Sequence, residues 1–280
     1  MKKNILILIF IFGVISICNS QLPVAPKDLN KSTVIESADY IITYSSIIVN
    51  NPEEPHKKVK DEVVLQIGKS VSKSFSNLLY QADSTATVLF KKGAKGIPIF
   101  QETIPPVVVY KNYPIGNNTI VYRTFLSGPT FEYKEPIPKF NWKLLPDKKH
   151  IHGYNCQKAT TTYRGRIYEA WFTSQIPLKE GPYKFQGLPG LILEIMDTQE
   201  HYVFTCVGIK KSTNNTPILL WEWETQKTTK DKLNILLRRF HETPATVAES
   251  LGIKVSFRDN SGNEINKKSI SYPYNPIELE

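Results

Sequence analysis

The 280-residue sequence predicts a mainly β fold, with a single curved antiparallel sheet or half-barrel and one late packing helix. About ten short segments are rich in β-branched and aromatic residues, and Gly, Pro or Asn bounds each of them. Only one segment, near the end of the chain, has a clear helical spacing of apolar residues. The regular alternation of strands and helices that a parallel sheet requires is absent, so an antiparallel sheet is expected.

The first twenty residues predict a secretory signal peptide. Two lysines precede an apolar run over 5–17, and Cys18 and Ser20 provide small residues ahead of a cleavage site. The apolar run is shorter than the roughly 20 residues that a membrane-spanning helix needs. We therefore expect residues 1–20 to be a signal peptide, residues 21–280 to form one β-rich domain, and the protein to be exported.

Composition and charge exclude several classes of protein. The chain is 41% hydrophobic and 11% aromatic, which excludes global disorder. A second long apolar stretch is absent, which argues against a helical membrane protein. The formal net charge is +9, but the basic residues are spread along the chain. We expect a solvated surface and no nucleic-acid partner, because nucleic acid is a poor match for an exported protein.

Strand chemistry dominates the first half of the chain. The segments that we expect to be strands are 34–49, 63–67, 86–90, 107–110, 119–126, 130–133 and 140–144. The segment 70–79 fits either a strand or a short helix, and the sequence leaves both open.

Two hairpins are expected in the second half. Segments 156–163 and 166–173 flank Arg164-Gly165, a pair typical of a tight turn. Segments 191–196 and 202–209 flank a polar turn of the kind that joins antiparallel strands.

A helix is expected next, because its apolar residues form one stripe: Leu233, Leu236, Leu237 and Phe240. Thr228 or Thr229 can cap its first turn, and Pro244 ends it. A short second helix over 245–251 and a last strand over 253–257 complete the predicted elements.

Two cysteines remain once the signal peptide is removed. In an oxidising compartment Cys156 and Cys206 could form a disulfide. Alternatively, both thiols could pack in the core as small apolar groups. The spacing of the two residues does not decide between these interpretations.

The known catalytic signatures are not met. The sequence lacks a complete phosphate-binding loop, a zinc-protease helix motif and a nucleophile elbow. We therefore assign no catalytic residue, metal ligand or cofactor, and the chain is more typical of a non-enzyme. Trp221 and Trp223 share one face of a strand, where they could stack on a sugar, lie at a membrane interface or, as we expect, pack against the fold.

The segment 177–192 is unusual because three glycines and three prolines lie among large apolar residues. Glycine permits positive φ and proline fixes φ, so the path of this backbone is tightly specified. Such a segment forms either a structural corner or a binding loop. The candidate residues for this binding or structural motif are Trp171, Phe172, Phe185, Gly187, Leu188, Pro189, Gly190, Leu191 and Ile192.

Residues 187–192 read Gly-Leu-Pro-Gly-Leu-Ile, and the chain resembles the GLPGLI family of exported Bacteroidetes proteins in this motif. The resemblance extends to 154–159, to Arg164-Gly165-Arg166 and to the tail 275–279, whereas Cys206 departs from it. It implies a location in the periplasm or at the outer membrane. It implies no established activity or cofactor, and members are often encoded near TonB-dependent outer-membrane receptors.

These observations predict an exported, non-enzymatic envelope protein that binds a ligand or a partner. The expected ligand is apolar or amphipathic, and it would lie against the concave face of the sheet. Two alternatives remain: an accessory subunit of a TonB-dependent outer-membrane transporter, and a hydrolase with an unrecognised site. The sequence leaves the oligomeric state open.

Overall fold

In the computed structural model, the described residues are 24–94, 103–125, 128–213, 216–252, 263–264, 266 and 270–280. Within these residues the chain forms fourteen strands. They are β1 (Ser32–Ser37), β2 (Tyr40–Val49), β3 (Lys58–Ile67), β4 (Ser72–Ser76), β5 (Val107–Lys111), β6 (Asn117–Arg123), β7 (Thr130–Pro136), β8 (Lys143–Ile151), β9 (Tyr154–Tyr163), β10 (Arg166–Thr173), β11 (Leu191–Asp197), β12 (Tyr202–Lys211), β13 (Pro217–Trp221) and β14 (Thr225–Lys227).

The same residues form three helices, α1 (Asn77–Lys91), α2 (Lys230–Glu242) and α3 (Pro244–Ser250). Side-chain caps start the first two, because the hydroxyl of Ser76 accepts a bond from the backbone of Leu79 and that of Thr229 accepts one from Lys232. Proline at the first position of α3 starts the third.

Twelve of the described strands form one sheet, in the order β14-β7-β6-β5-β4-β3-β2-β12-β11-β10-β9-β8. Every pair in it is antiparallel except β14 with β7. The sheet is strongly curved. Tyr133 on β7 and Tyr202 on β12 line the same cavity, although a flat sheet would separate strands six positions apart by roughly 29 Å.

The alternation of buried and half-buried residues along the strands defines the concave face. On β2 the residues Ile42, Tyr44, Ser46 and Ile48 are buried, while the residues between them are only half-buried. The concave face holds the main hydrophobic core, to which β2, β3 and β9 to β12 contribute. Three other parts of the chain fill it: the segment 176–190, helix α2 and the C-terminal tail 270–280.

The convex face is covered near β3 to β6 by a second, two-stranded sheet of β1 and β13. Phe75, Val108, Val121 and Trp221 form a smaller core there. Tyr80 of α1 stacks on Trp221, with ring centroids 6.0 Å apart, so α1 packs on the same side.

The predicted mainly β, antiparallel fold is confirmed. Both hairpins form as expected, and Arg164 and Gly165 have positive φ angles of 47° and 77°, as a tight hairpin turn requires. The late helix is α2, and the short helix after Pro244 is α3.

The expected strand at 86–90 is wrong, because these residues belong to α1. The buried residues of α1 are Leu79, Asp83, Ala86 and Thr87, whose spacing is that of a helix. The β-branched residues of this segment hid that period, and packing against the sheet overrides their local preference. The ambiguous segment 70–79 contains β4, and α1 follows it directly.

Some predictions fall on residues that the structure does not describe. The signal peptide at 1–20 and the last strand at 253–257 lie outside the described residues. Within the described part, the helices are all too short or too polar to span a bilayer.

Candidate ligand cavity in the concave face

The predicted motif at 187–192 lies in the core of the protein. Phe185, Leu188, Leu191 and Ile192 are all at most 1% exposed and belong to the main hydrophobic cluster. At Gly190 a Cβ atom would lie 2.0 Å from the carbonyl oxygen of Thr173, so a side chain there would collide with the backbone. The segment 177–192 is therefore a structural corner, hereafter the corner, and it packs against the end of β10.

A buried lysine fixes this corner to the sheet. Lys111 Nζ donates to the carbonyl oxygens of Gly181 at 2.6 Å and Phe185 at 3.1 Å, and to Glu180 Oε2 at 2.8 Å. Burial lowers the pKa of Lys111, and the Glu180 carboxylate partly opposes that shift. The Trp142 indole adds a bond to the carbonyl of Gln186 at 2.9 Å.

Trp171 and Phe172 lie on opposite faces of β10. Phe172 is buried in the core, whereas Trp171 is half-buried beneath the ammonium of Lys149, 4.4 Å from the ring centroid. Neither residue lines either of the two interior cavities described below, and the same holds for Phe185 and for 187–192. The predicted site residues thus form packing around the corner.

The disulfide that the sequence allowed is absent from the structure. Cys156 and Cys206 are both free and buried. They lie on β9 and β12, and strands β10 and β11 separate them in the sheet. Burial raises the pKa of the Cys206 thiol to about 11, so this thiol packs as a neutral, small apolar group.

An inner cavity of about 50 Å³ remains between the concave face and the tail. Its walls are mostly apolar and come from β2, β3, β4, β5, β12 and the tail. The lining residues are Ser46, Ile48, Asp61, Val63, Ser74, Phe75, Ser76, Pro105, Val107, Val109, Tyr183, Tyr202, Phe204 and Ile277.

One end of the inner cavity is polar. Asp61 Oδ1 accepts hydrogen bonds from the Ser76 hydroxyl at 2.9 Å and from the backbone of Glu62 at 2.8 Å. Ser46 is fully buried, and its hydroxyl has no hydrogen-bond partner among the described residues. Burial raises the pKa of Asp61 to about 6. An acid and an unpaired hydroxyl therefore lie at the end of an apolar chamber.

A second, outer cavity of about 90 Å³ adjoins the first. It shares five lining residues with the inner cavity: Pro105, Val107, Tyr183, Tyr202 and Ile277. Its remaining wall is richer in polar groups, which come from β6, β7, helix α2 and the tail. Ile277 lines both cavities, so the tail forms part of the wall of each.

Hydrogen bonds hold this tail in the concave face. Asn275 Nδ2 donates to the carbonyl of Val49 at 2.6 Å, and the Asn275 carbonyl accepts from the Tyr202 hydroxyl at 2.6 Å. Further along, the Tyr168 hydroxyl donates to the carbonyl of Ile277 at 2.8 Å. The tail thus lies in the concave face as an extended strap.

Glu278 anchors the end of the strap. Its carboxylate accepts from Lys184 Nζ at 2.7 Å and from the Tyr183 hydroxyl at 2.7 Å, and it pairs with Lys230 Nζ at 2.6 Å. Burial alone would raise the pKa of Glu278, but the two ammonium groups outweigh it and lower that pKa to about 2. The carboxylate stays ionised over the physiological range.

Sequence reasoning did not find Asp61 and Ser46. The signal was present for Asp61, because Asp61, Val63, Leu65 and Ile67 share one face of β3 and only the first is charged. A lone charge on an apolar strand face marks either a strand end or a site. For Ser46 the sequence holds no comparable signal, because serine is small enough for any interior.

Within the part of the chain that the structure describes, His, Cys, Asp and Glu side chains do not form a group of three or more that could hold a metal ion.

Comparison with known proteins gives one family model and several solved chains, two of which are described here. The family model described as "N-glycanase peptide, N-terminal domain" matches residues 130–235, less than half of the chain. No curated protein matches the chain. A structure of PNGF-II in space group C2 is 18% identical, with a TM-score of 0.45, and the match covers 70% of this chain and 31% of that one.

A structure of PNGF-II in space group P21 gives a similar result. It is 15% identical, with a TM-score of 0.46, and the match covers 71% of this chain and 33% of that one. This chain therefore spans about a third of the length of the two solved structures.

Proposed function

We propose that the protein is an exported, non-enzymatic binding protein that holds a small, largely apolar ligand in the concave face of its sheet. The observation that carries this proposal is the inner cavity, which has apolar walls, a polar end and a strap of chain across it. Catalysis is not part of the proposal, because the cavity groups Asp61 and Ser46 are not joined to a base or an activated nucleophile.

Packing physics supports a ligand in this chamber. Protein interiors contain few voids larger than a water molecule, and a water needs about 10–15 Å³ measured in the same way. The two cavities, of about 50 and 90 Å³, exceed that threshold several times. Empty apolar volume destabilises a fold. A fold that keeps an apolar cavity of this size is therefore typical of a protein that binds a ligand there.

Native mass spectrometry of the protein, purified from its own envelope, tests the proposal. We expect a bound mass that disappears on denaturation. Val63→Phe should remove it, because Val63 lines the inner cavity and a phenyl ring would fill that space. Val64→Phe is the matched control, since Val64 is the next residue of β3 and packs on the convex face.

A bare chain from native envelope would overturn the proposal, provided that the protein is folded and the mild conditions retain known complexes. Recovery of an outer-membrane transporter in place of a small mass would favour the accessory-subunit alternative.

A second candidate function, recognition of a glycan, rests on a different cleft. This surface cleft of about 480 Å³ is lined by Lys27, Asp28, Lys31, Gly128, Pro129, Thr130, Glu222, Trp223, Glu224 and Gln226. It combines an aromatic ring with donors and acceptors, as sugar-binding sites do. The family model described as an N-glycanase domain matches a segment that contains five of these residues, namely Thr130, Glu222, Trp223, Glu224 and Gln226.

Titration with an N-glycosylated peptide tests this candidate. Binding that Gln226→Ala weakens and Val63→Phe leaves intact would support the glycan cleft. A wild-type protein that does not bind the glycopeptide would remove the candidate.

A further inference from the structure

We propose that the ligand of the inner cavity is a small amine, whose ammonium group pairs with Asp61 while its apolar body occupies the rest of the chamber. This inference rests on the proposed function and names the chemical class of the ligand.

The way in which the buried acidic residues are paired supports this inference. Four acidic residues are buried in the described part of the chain, and three of them have a basic partner. Asp83 pairs with Arg123 at 2.8 Å, Asp197 with Arg166 at 2.8 Å, and Glu278 with Lys184 at 2.7 Å.

Asp61 is the exception, because none of the described basic side chains pairs with it. A buried carboxylate without a positive partner is costly. It is also the buried acid whose side chain lies against the inner cavity, and none of the residues that line that cavity is basic. A cation from outside the chain would complete the pattern that the other three acids follow.

Helix α1 accounts for only part of the environment of Asp61. The carboxylate lies at the first turn of α1, where Ser76 donates to it and where the helix dipole favours a negative charge. These contacts supply hydrogen bonds and partial charges, but they leave the formal charge unpaired. They also do not explain why the hydroxyl of Ser46, which is paired with Asp61 across β2 and β3, has no hydrogen-bond partner in the described part of the chain.

An ammonium group suits both the unpaired charge of Asp61 and the hydroxyl of Ser46, which has no hydrogen-bond partner among the described residues. It can donate one hydrogen bond to the Asp61 carboxylate and another to the Ser46 hydroxyl oxygen, and a primary amine has a third for Asp61 or a water. The walls beyond this polar end include Val63, Phe204 and Ile277 and suit an alkyl chain or a small ring. A carboxylate ligand would meet the charge of Asp61 and is excluded by repulsion.

The ionisation of the surrounding groups is compatible with this assignment. The pKa of Asp61 is about 6, so the carboxyl is ionised at pH 7.5 and largely protonated at pH 5. Glu62, the next residue of β3, favours the protonated form of Asp61. Tyr183 and Tyr202 also line the cavity, and burial raises the pKa of both phenols, so they stay neutral over this range.

Calorimetric titration with n-pentylamine and with 1-pentanol, two probes of equal chain length, tests the inference at pH 7.5. We expect the amine to bind about tenfold more tightly than the alcohol or better, as charged hydrogen bonds allow. Asp61→Asn should abolish that preference and leave the affinity for the alcohol unchanged. Glu62→Gln is the matched control and should retain the preference, because its side chain bonds Asn77 instead.

A second measurement covers the case in which Asp61→Asn fails to fold. In the wild-type protein, lowering the pH from 7.5 to 5 should remove the preference for the amine, because Asp61 becomes neutral while the amine stays charged. Equal binding of amine and alcohol at pH 7.5 would overturn the amine inference and leave the ligand cavity standing. If neither probe binds and no native ligand is found, both the amine inference and the proposed function fail.

Discussion

Lys184 of the corner donates a 2.7 Å hydrogen bond to Glu278 of the C-terminal strap, so the two segments that fill the concave face are tied directly to each other. Both side chains are almost fully buried. Lys184 also pairs with Glu135 on β7 at 2.7 Å, which connects the corner and strap to the far side of the sheet. The cavity walls thus depend on one buried cluster of charges.

Removing the charge of Glu278 should therefore loosen the strap. Glu278→Gln leaves Lys184 and Lys230 with one fewer buried partner, and breaking a buried ion pair costs about 3 kcal/mol of unfolding free energy. Urea denaturation measures this loss, and proteolysis near the C-terminus should become faster in the variant. Glu280→Gln is the control, because that side chain is exposed and should change stability by less than about 0.5 kcal/mol. Equal stability of the two variants would contradict the anchoring role.

Asp61→Asn should have the opposite effect at neutral pH. The pKa of Asp61 is about 6 in the folded chain and near 3.8 when exposed. A carboxyl whose pKa is raised by folding contributes stability below the lower value, and that contribution is lost as pH rises through the folded value. At pH 7.5 the free energy of unfolding of the variant should exceed that of the wild type by about 3 kcal/mol, and at pH 4 this difference should vanish.

The unfolding free energies of Asp61→Asn and of the wild type must be compared at each pH, because His241 titrates in the same range. Burial lowers the pKa of His241 to about 4, so folded stability falls as pH drops from about 6.5 towards 4 in both proteins. Chemical denaturation at several pH values gives both free energies. A variant that is less stable than the wild type at pH 7.5 would indicate that Asp61 serves mainly to start α1.

The sequence predicted the parts of this fold that local chemistry determines. Arg164 and Gly165 form the expected turn, and the stripe of Leu233, Leu237 and Phe240 forms the buried face of α2. Helix α1 was missed because its β-branched residues favour a strand locally and its burial comes from packing against the sheet.

The candidate site could not be predicted in the same way. The cavity exists because the sheet curves and residues far apart in sequence, such as Asp61 and Ile277, meet across its concave face. The rare composition of 187–192 instead identified a corner, since glycine and proline report on the path of the backbone and not on ligands.

Gly190→Ala should be among the most damaging single substitutions in the corner. Its Cβ would lie 2.0 Å from the Thr173 carbonyl oxygen, and backbone atoms cannot move away as a side chain can. We expect a loss of more than about 3 kcal/mol, or failure to fold. Gly187→Ala is the matched control, because its nearest neighbour would be Trp142 Nε1 at 3.9 Å and only its positive φ adds strain, about 1 kcal/mol. Similar losses in both variants would show that backbone conformation, rather than the contact with Thr173, sets the requirement.

Alkylation of thiols separates the two interpretations of Cys156 and Cys206 and tests the signal peptide in the same experiment. Both thiols are free and buried, so iodoacetamide should not modify them in the folded protein and should modify both in urea without a reductant. Intact mass spectrometry counts the adducts. Labelling in urea only after reduction would establish the disulfide that the structure lacks.

The same experiment tests the signal peptide. A third adduct in urea would show that Cys18 is retained, and hence that residues 1–20 are not removed. Two adducts on a chain that begins at Gln21 would confirm cleavage.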